Sequence, residues 1–546
     1  MALQLLSRLF TFVLNQALFR LASPSAFGAA AIQFELILST ILFLSREGIR
    51  NALLRVGKDP SADSKAKRAN LALLPIISGI PLALGTAVLY TRFAGEEIKL
   101  QPHFSTAIAL YALAAVTELL SEPLYNVAMV ELKTGIRVRA EGLGITAKSI
   151  TTFLILFYDS MRGTGDLALL AFAFGQLVYG IVMFATYVVY LGGNYLRPKR
   201  PSSSGTTWLS YVDRDELQLS FTMTLQSLVK HFLTEGDKMI LSWFSPLHDQ
   251  GGYAIAVNYG SLIARIIFQP IEESLRVFFS RTVNTNTAAS QNSKSSKSKS
   301  KASKPPTSSP PASQPLLQAA STLRSLLVTQ TSLSLILVIF GSAYLPILLP
   351  LLLPRQYLST SAPSVLAAWV WYIPVLAVNG GLEAFLSSVA SPQELNSQSR
   401  WMIGFSLVYI VSAVLFYRTG LGDASLVYAN IINLSVRIAY ALRYTARFFD
   451  RSQDRQRPPI FHPRDALPSP VLLGVCALSA LAIRMSARTL NADVIAASLG
   501  KTALFDRRVL AHVGVGSVLG VVCVGTWLVT SGWGLVRQVL PRGVIR

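Results

Sequence analysis

Charged side chains recur inside stretches that are otherwise almost wholly apolar, and any chemistry this chain performs must draw on them. In the first part of the chain these are Arg20, Glu35, Arg46, Glu47, Arg50, Glu118, Glu122 and Lys148. In the second they are Lys230, His231, Glu235, Asp237, Lys238, Arg265, Glu272, Glu273, Glu383 and Arg437. A charge at the centre of a bilayer costs about 2.5–3.5 kcal/mol even on the lenient insertion scale, so this many are expected to face one another or a water-filled cavity. Local pairing is one outlet. Glu47 and Arg50, and Glu272 or Glu273 and Arg276, lie three or four residues apart, on one helix face. That spacing does not separate structural ion pairs from groups lining a substrate path. Arg20, Glu35 and Arg265 lie deeper in their stretches and are assigned to a cavity. His231, beside Lys230, reads as a helix-end residue.

Enzyme signatures are missing. Gly500-Lys501-Thr502 has the ending of a phosphate-binding loop, but Ile495 stands where the first glycine is needed. No metalloprotease, Cys-x-x-Cys or nucleophile-elbow motif is present, and neither a cofactor nor a metal is expected. Glu35, Glu122 and Glu383 are the groups that could bind a proton or sodium ion, which leaves an ion-coupled exporter as one alternative.

The elements that would position these charges are membrane helices. The chain has 546 residues, 51% hydrophobic and only 14% charged. About 20 mostly apolar residues suffice for a membrane helix. Fourteen such runs are expected, near residues 3–22, 28–49, 71–92, 104–128, 143–159, 167–191, 215–233, 251–275, 322–343, 363–390, 401–417, 421–442, 469–485 and 509–532. The first, fifth, seventh and thirteenth are the weakest. The start of the chain, with no small-residue cleavage site, reads as part of the first helix.

The net charge of +21 would suit nucleic acid, but the basic residues lie between spans rather than on one folded face, which argues against that partner. They collect in alternate loops: Arg50 to Arg68, Lys133 to Lys148, Arg197 to Arg214, Arg276 to Arg324 and Arg443 to Arg464. By the positive-inside rule these loops and both chain ends are expected in the cytosol, with anionic lipids of that leaflet as counter-charge. The oligomeric state is left open, a monomer sufficing.

Residues 282–315 are rich in Ser, Lys, Pro, Ala and Asn and are expected to be disordered. With the linkers 192–214 and 446–468 they give a layout of an N-lobe at 1–191, a C-lobe at 215–445 and two helices in 469–546. A weak internal repeat supports it. Asn15, Gln16, Ser23 and Pro24 match Asp237, Lys238, Ser245 and Pro246 at an offset of 222. At an offset of 226, Glu47 meets Glu273 and Arg50 meets Arg276, and Glu122 pairs more faintly with Glu383. Transporters built from parallel repeats bind substrate between the halves.

Several strings carry a more specific resemblance. They are Ser45-Arg46-Glu47-Gly48-Ile49-Arg50, Ala140-Glu141-Gly142-Leu143-Gly144-Ile145 followed by Lys148, Glu235-Gly236-Asp237-Lys238, Phe268-Gln269-Pro270-Ile271-Glu272-Glu273-Ser274 and Asn379-Gly380-Gly381-Leu382-Glu383-Ala384-Phe385. Ala429-Asn430 followed by Arg437-Ile438 joins them. In these the chain resembles the eukaryotic Rft-type oligosaccharide translocation family of the endoplasmic reticulum, part of a superfamily of multidrug exporters and lipid-precursor flippases. The resemblance covers the second to twelfth spans and is weaker beyond.

It implies an all-α polytopic fold, with two six-helix lobes in a V-shaped arrangement and two extra helices. It implies ATP-independent passage of a dolichol-diphosphate-linked oligosaccharide across the endoplasmic reticulum membrane for N-glycosylation, or an accessory role in that passage. On this reading Arg20, Arg46, Arg50, Lys148, Lys238 and Arg265 would bind the diphosphate. Glu35, Glu47, Glu122, Glu235, Asp237, Glu272, Glu273, Arg276, Glu383 and Arg437 would set lobe geometry or gate the cleft. Pro270 could let its helix bend.

Overall fold

Twelve helices among the described residues are long and apolar enough to cross a membrane. They belong to a computed structural model that describes residue 14 and residues 16–55, 62–200, 211–296, 314–451, 461–462 and 466–532. No strand occurs among these residues. In chain order the spans α1 to α5 are Pro24–Leu54, Asp63–Phe93, Phe104–Val130, Thr134–Arg162 and Ala168–Leu191. Two helices, α6 (Arg214–Thr234) and the short α7 (Gly236–Phe244), follow. The spans α8 to α13 are Leu247–Thr282, Leu316–Leu352, Ala362–Val389, Gln393–Leu421, Ala424–Asp450 and Pro470–Leu490. A short α14 (Ala492–Leu499) leads to the last span, α15 (Arg507–Thr530).

This differs from fourteen expected spans at two places. The first expected run, 3–22, lies mostly outside the described residues. The seventh forms as α6, but Gln218, Gln226, Lys230 and His231 along it lower its mean hydropathy, so it is not among the twelve. Of the segment 282–315, the backbone up to Ser296 continues helically from α8, and 297–313 lie outside the described residues. Extending an existing helix adds one hydrogen bond per residue fixed, so polar residues can follow an apolar span.

The chain divides into two compact units, Met1–Ile255 and Ala256–Arg546, with the boundary inside α8. The first unit therefore includes α6, placed in the second lobe on sequence grounds. Its core runs from Leu18 through Phe34, Leu38 and Ile41 of α1 to Ala107, Ile108 and Leu119 of α3 and Phe172 of α5. α6 packs along α1, where Gly48 is indispensable: a Cβ there would stand 1.9 Å from Thr224 Oγ1 and 2.5 Å from the Ser220 carbonyl oxygen.

The segment leading into α6 is strapped down by one buried side chain. Asn70 donates to the carbonyls of Lys199 (2.7 Å) and Tyr211 (2.9 Å) and accepts from the Lys199 amide (2.7 Å). Arg68 adds an ion pair to Glu216 at 2.8 Å. These contacts tie α6 to the start of α2.

In the second unit α10 packs against α8, α9 and α12, and α11 pairs with α12. Phe279, Phe385 and Phe449 meet in its core. α13 and α15 form a hairpin against α9, with the free thiols of Cys476 and Cys523 buried between them.

Candidate substrate cavity and its charge network

Arg46 and Arg50 are four residues apart on α1, and Glu118 and Glu122 are four apart on α3, so each pair occupies one helix face. The faces meet. Arg46 Nη1 lies 2.7 Å from Glu118 Oε1 and 3.2 Å from Glu122 Oε1. Arg50 grips Glu122 at two points, Nε to Oε2 at 2.7 Å and Nη2 to Oε1 at 2.5 Å. Its guanidinium lies 3.8 Å from the centre of the Tyr125 ring, within cation–π range.

Local sequence places Glu122. α3 breaks at Leu120–Ser121, Ser121 Oγ donates to the Glu118 carbonyl at 2.6 Å, and Pro123 follows without an N–H to continue the ladder. Glu122 thereby opens a new helical segment, where the dipole favours a carboxylate. It is wholly buried and would be untenable without its two cationic partners.

This network forms one wall of a cavity of about 480 Å³ inside the first unit. α1 contributes Glu35, Ser39, Phe43, Arg46 and Glu47, and α3 contributes Glu118. Opposite stand Lys148 of α4, Gln176 and Tyr179 of α5, and His231 and Glu235 at the end of α6. Lys148 Nζ donates to Gln176 Oε1 at 2.5 Å. Among the described residues Lys148 has no acid partner, which makes it the lining cation that a new anion meets without competition. His231 is buried, stacks on Phe43 with ring centroids 4.3 Å apart, and shares a hydrogen bond with Thr40 Oγ1 at 3.1 Å. It lies in the last turn of α6, where close packing on α1 turns it into the cavity wall.

The structure thus gathers five of the residues given binding or gating roles, Glu35, Arg46, Glu47, Lys148 and Glu235, around one space together with Glu118 and His231, with Arg50 and Glu122 behind the wall. The local pair Glu47–Arg50 is replaced. Arg50 reaches across to Glu122, and Glu47 Oε1 accepts from Asn51 Nδ2 at 3.2 Å. Lys238 pairs with Glu235 at 2.8 Å, and Asp237 accepts from the Tyr253 hydroxyl at 3.2 Å. Arg20 is exposed and does not line this cavity.

In the second unit Arg265 is exposed and donates to the Asn258 carbonyl at 2.9 Å. Glu383 of α10 is held by Arg437 of α12 at 2.5 Å and by Asn379 at 3.1 Å. Glu272 is half-buried over Gly380, where a Cβ would fall 1.8 Å from its Oε1. Glu273 and Arg276 are exposed.

Gln176, Tyr179 and His231 were not singled out as cavity residues on sequence grounds. Gln176 carried a signal, as a lone amide in the apolar run Phe172-Ala173-Phe174-Gly175-Gln176-Leu177-Val178. The other two carried none, since an aromatic or histidine at helical spacing is ordinary core composition.

Comparison with known proteins follows from the whole chain. The model of the Rft protein family matches residues 1–537. The Man(5)GlcNAc(2)-PP-dolichol translocation protein of Yarrowia lipolytica is 32% identical, the match covering 82% of this chain and 69% of that protein. Its Saccharomyces cerevisiae namesake is 30% identical over 82% and 81% of the two chains. That of Mus musculus is 29% identical over 97% and 93%. Among solved structures, the lipid II flippase MurJ in an inward closed conformation is similar in fold, with a TM-score of 0.57 at 14% identity over 97% of this chain and 99% of that one.

Proposed function

This chain belongs to the Rft protein family, and from that premise we propose that it carries a dolichol-diphosphate-linked oligosaccharide from the cytosolic to the lumenal leaflet of the endoplasmic reticulum membrane without hydrolysing ATP. Its curated relatives are named for translocation of Man(5)GlcNAc(2)-PP-dolichol. The observation that carries the reading is the polar cavity walled by α1, α3, α4, α5 and α6, with Lys148 free to meet an anion.

The physical task is asymmetric. A polyprenyl tail is at home among acyl chains, whereas a diphosphate and its sugars resist leaving water. A hydrated cavity lowers that cost for the head alone. Lys148 is the first diphosphate contact in this reading. Arg46 would have to exchange Glu118 for phosphate, and Arg50 is committed to Glu122. Glu35, Glu47, Gln176 and Tyr179 suit sugar hydroxyls and ring faces. Glu122 and Glu383 already neutralise arginines, which argues against their serving as cation-coupling sites.

The same proposal includes both chain ends in the cytosol and a layout of six, six and two helices. The basic segments 192–214 and 276–324 can both be cytosolic only if an even number of crossings separates them. α8 is one, so α6 supplies the other. Its charged first turn would then sit at the cytosolic surface, beside Arg68.

Purified protein reconstituted in vesicles with labelled lipid-linked oligosaccharide tests the proposal. Leaflet exchange faster than in empty vesicles, slowed by Lys148→Gln, is expected. Exchange no faster than in empty vesicles overturns direct translocation and favours an accessory role.

A further inference from the structure

A second cavity, of about 640 Å³, opens between α11 and α12 in the second unit, at the end where α11 begins and α12 finishes. Its floor is aromatic and aliphatic. Trp401 stacks on Phe405 with centroids 6.0 Å apart, Phe405 meets Tyr440 edge-on at 6.3 Å, and Val436 continues the surface. Its rim carries two arginines, Arg443 and Arg447, one helical turn apart and exposed. Neither guanidinium has an ion pair or hydrogen-bond partner among the described residues.

One acid lines the same space. Glu394 closes the capping box of α11, where its Oε2 accepts from the Ser391 amide at 2.9 Å. The same oxygen accepts the Tyr444 hydroxyl at 3.0 Å from α12. The cavity therefore holds two arginines without an ion-pair partner among the described residues and one carboxylate engaged by neutral donors, a net positive charge above an apolar floor. Arginines at a helix C-terminus are ordinarily explained by snorkelling to the headgroup level. Snorkelling needs no formed cavity beneath them, and here the two helices enclose one.

We infer that this groove is a binding site for a single anionic phospholipid, its phosphate bridging Arg443 and Arg447 and one acyl chain lying along Val436, Tyr440, Phe405 and Trp401. Two guanidinium forks present paired donors to phosphate oxygens. The net positive charge of the rim favours an anionic over a zwitterionic lipid. The groove has one carboxylate and no side-chain amide, against four carboxylates and Gln176 in the first unit's cavity, so a glycan head finds fewer partners in it. The site is independent of the translocation reading, and leaflet exchange is not its readout.

The test is photolabelling of the full-length protein in vesicles containing a phosphatidylinositol with a photoactivatable acyl chain. Peptides covering 397–405 and 436–448 are expected to carry the label. Arg443→Gln/Arg447→Gln should cut labelling roughly 30-fold, while Arg443→Lys/Arg447→Lys, which keeps the charge but loses the paired donors, should retain part of it. Val436→Trp, which fills the floor and leaves both charges, should also block it and keeps the test independent of how the arginine variant folds. Equal labelling by a phosphatidylcholine analogue, or undiminished labelling of both blocking variants, overturns the proposal. So does complete loss of label on adding millimolar inorganic phosphate, which assigns a free-anion site, or equimolar lipid-linked oligosaccharide, which assigns the groove to the glycolipid.

Discussion

Arg50 and Glu122 meet through two hydrogen bonds, one guanidinium edge against one carboxylate, across 72 residues of sequence. Together with Arg46 and Glu118 they make a four-charge ladder between α1 and α3 that is neutral in sum and largely shielded from solvent. Its stability rests on completeness, because removing one member strands another in a low-dielectric interior.

Glu122→Gln is accordingly expected to destabilise the protein by about 3–5 kcal/mol, the usual cost of leaving a buried partner uncompensated. The loss should appear as a lowered thermal transition in detergent-solubilised protein followed by size-exclusion chromatography. The double change Glu122→Gln/Arg50→Gln should recover part of it. A double variant no more stable than the single one would mean that the pair is not the source of the effect.

Lys148→Gln should leave that thermal transition nearly unchanged, since Lys148 is held only by Gln176. Glycolipid exchange should fall about tenfold, in line with the worth of one charge-assisted hydrogen bond. An unaltered rate in vesicles would remove Lys148 from the diphosphate path.

Gly48→Ala should push α6 off α1 and cost about 1–3 kcal/mol. Thr224→Ala on the same background should restore little, because the Ser220 carbonyl oxygen is backbone and still lies 2.5 Å from the new methyl group. Full rescue would show that the Thr224 side chain alone is the obstacle.

Gly380→Ala provides the contrasting case. The nearest atom to its new methyl group is the end of the Glu272 side chain, which can swing away. Thermal stability is expected to fall less than for Gly48→Ala, and Glu272→Ala/Gly380→Ala should be indistinguishable from Glu272→Ala alone. A drop as large as that of Gly48→Ala would show that Glu272 is fixed in place.

Much of the helical plan was legible before any fold was known. The expected runs 71–92 and 104–128 fall inside α2 and α3, and 167–191 and 363–390 match α5 and α10 to within a residue at each end, because twenty apolar residues in oil leave the backbone no partner but itself. α6 was less legible. Its charges place it below the other spans in hydropathy, and its position depends on the Asn70 strap and on the absence of a Cβ at Gly48. The ion pairs were only half legible. Spacing along one helix suggested Glu47 for Arg50, but a guanidinium brought between two helices binds the carboxylate that is wholly buried.

Composition and hydropathy were enough to establish a polytopic helical membrane protein, because burying backbone in lipid allows few alternatives, and a handful of charged motifs carried the resemblance to the Rft family. Which charges stand beside the cavity and which are consumed in its wall was decided by the packing of α1 against α3 and α6. Those contacts join residues far apart in the chain through distances of a few ångströms, and no local pattern encodes them.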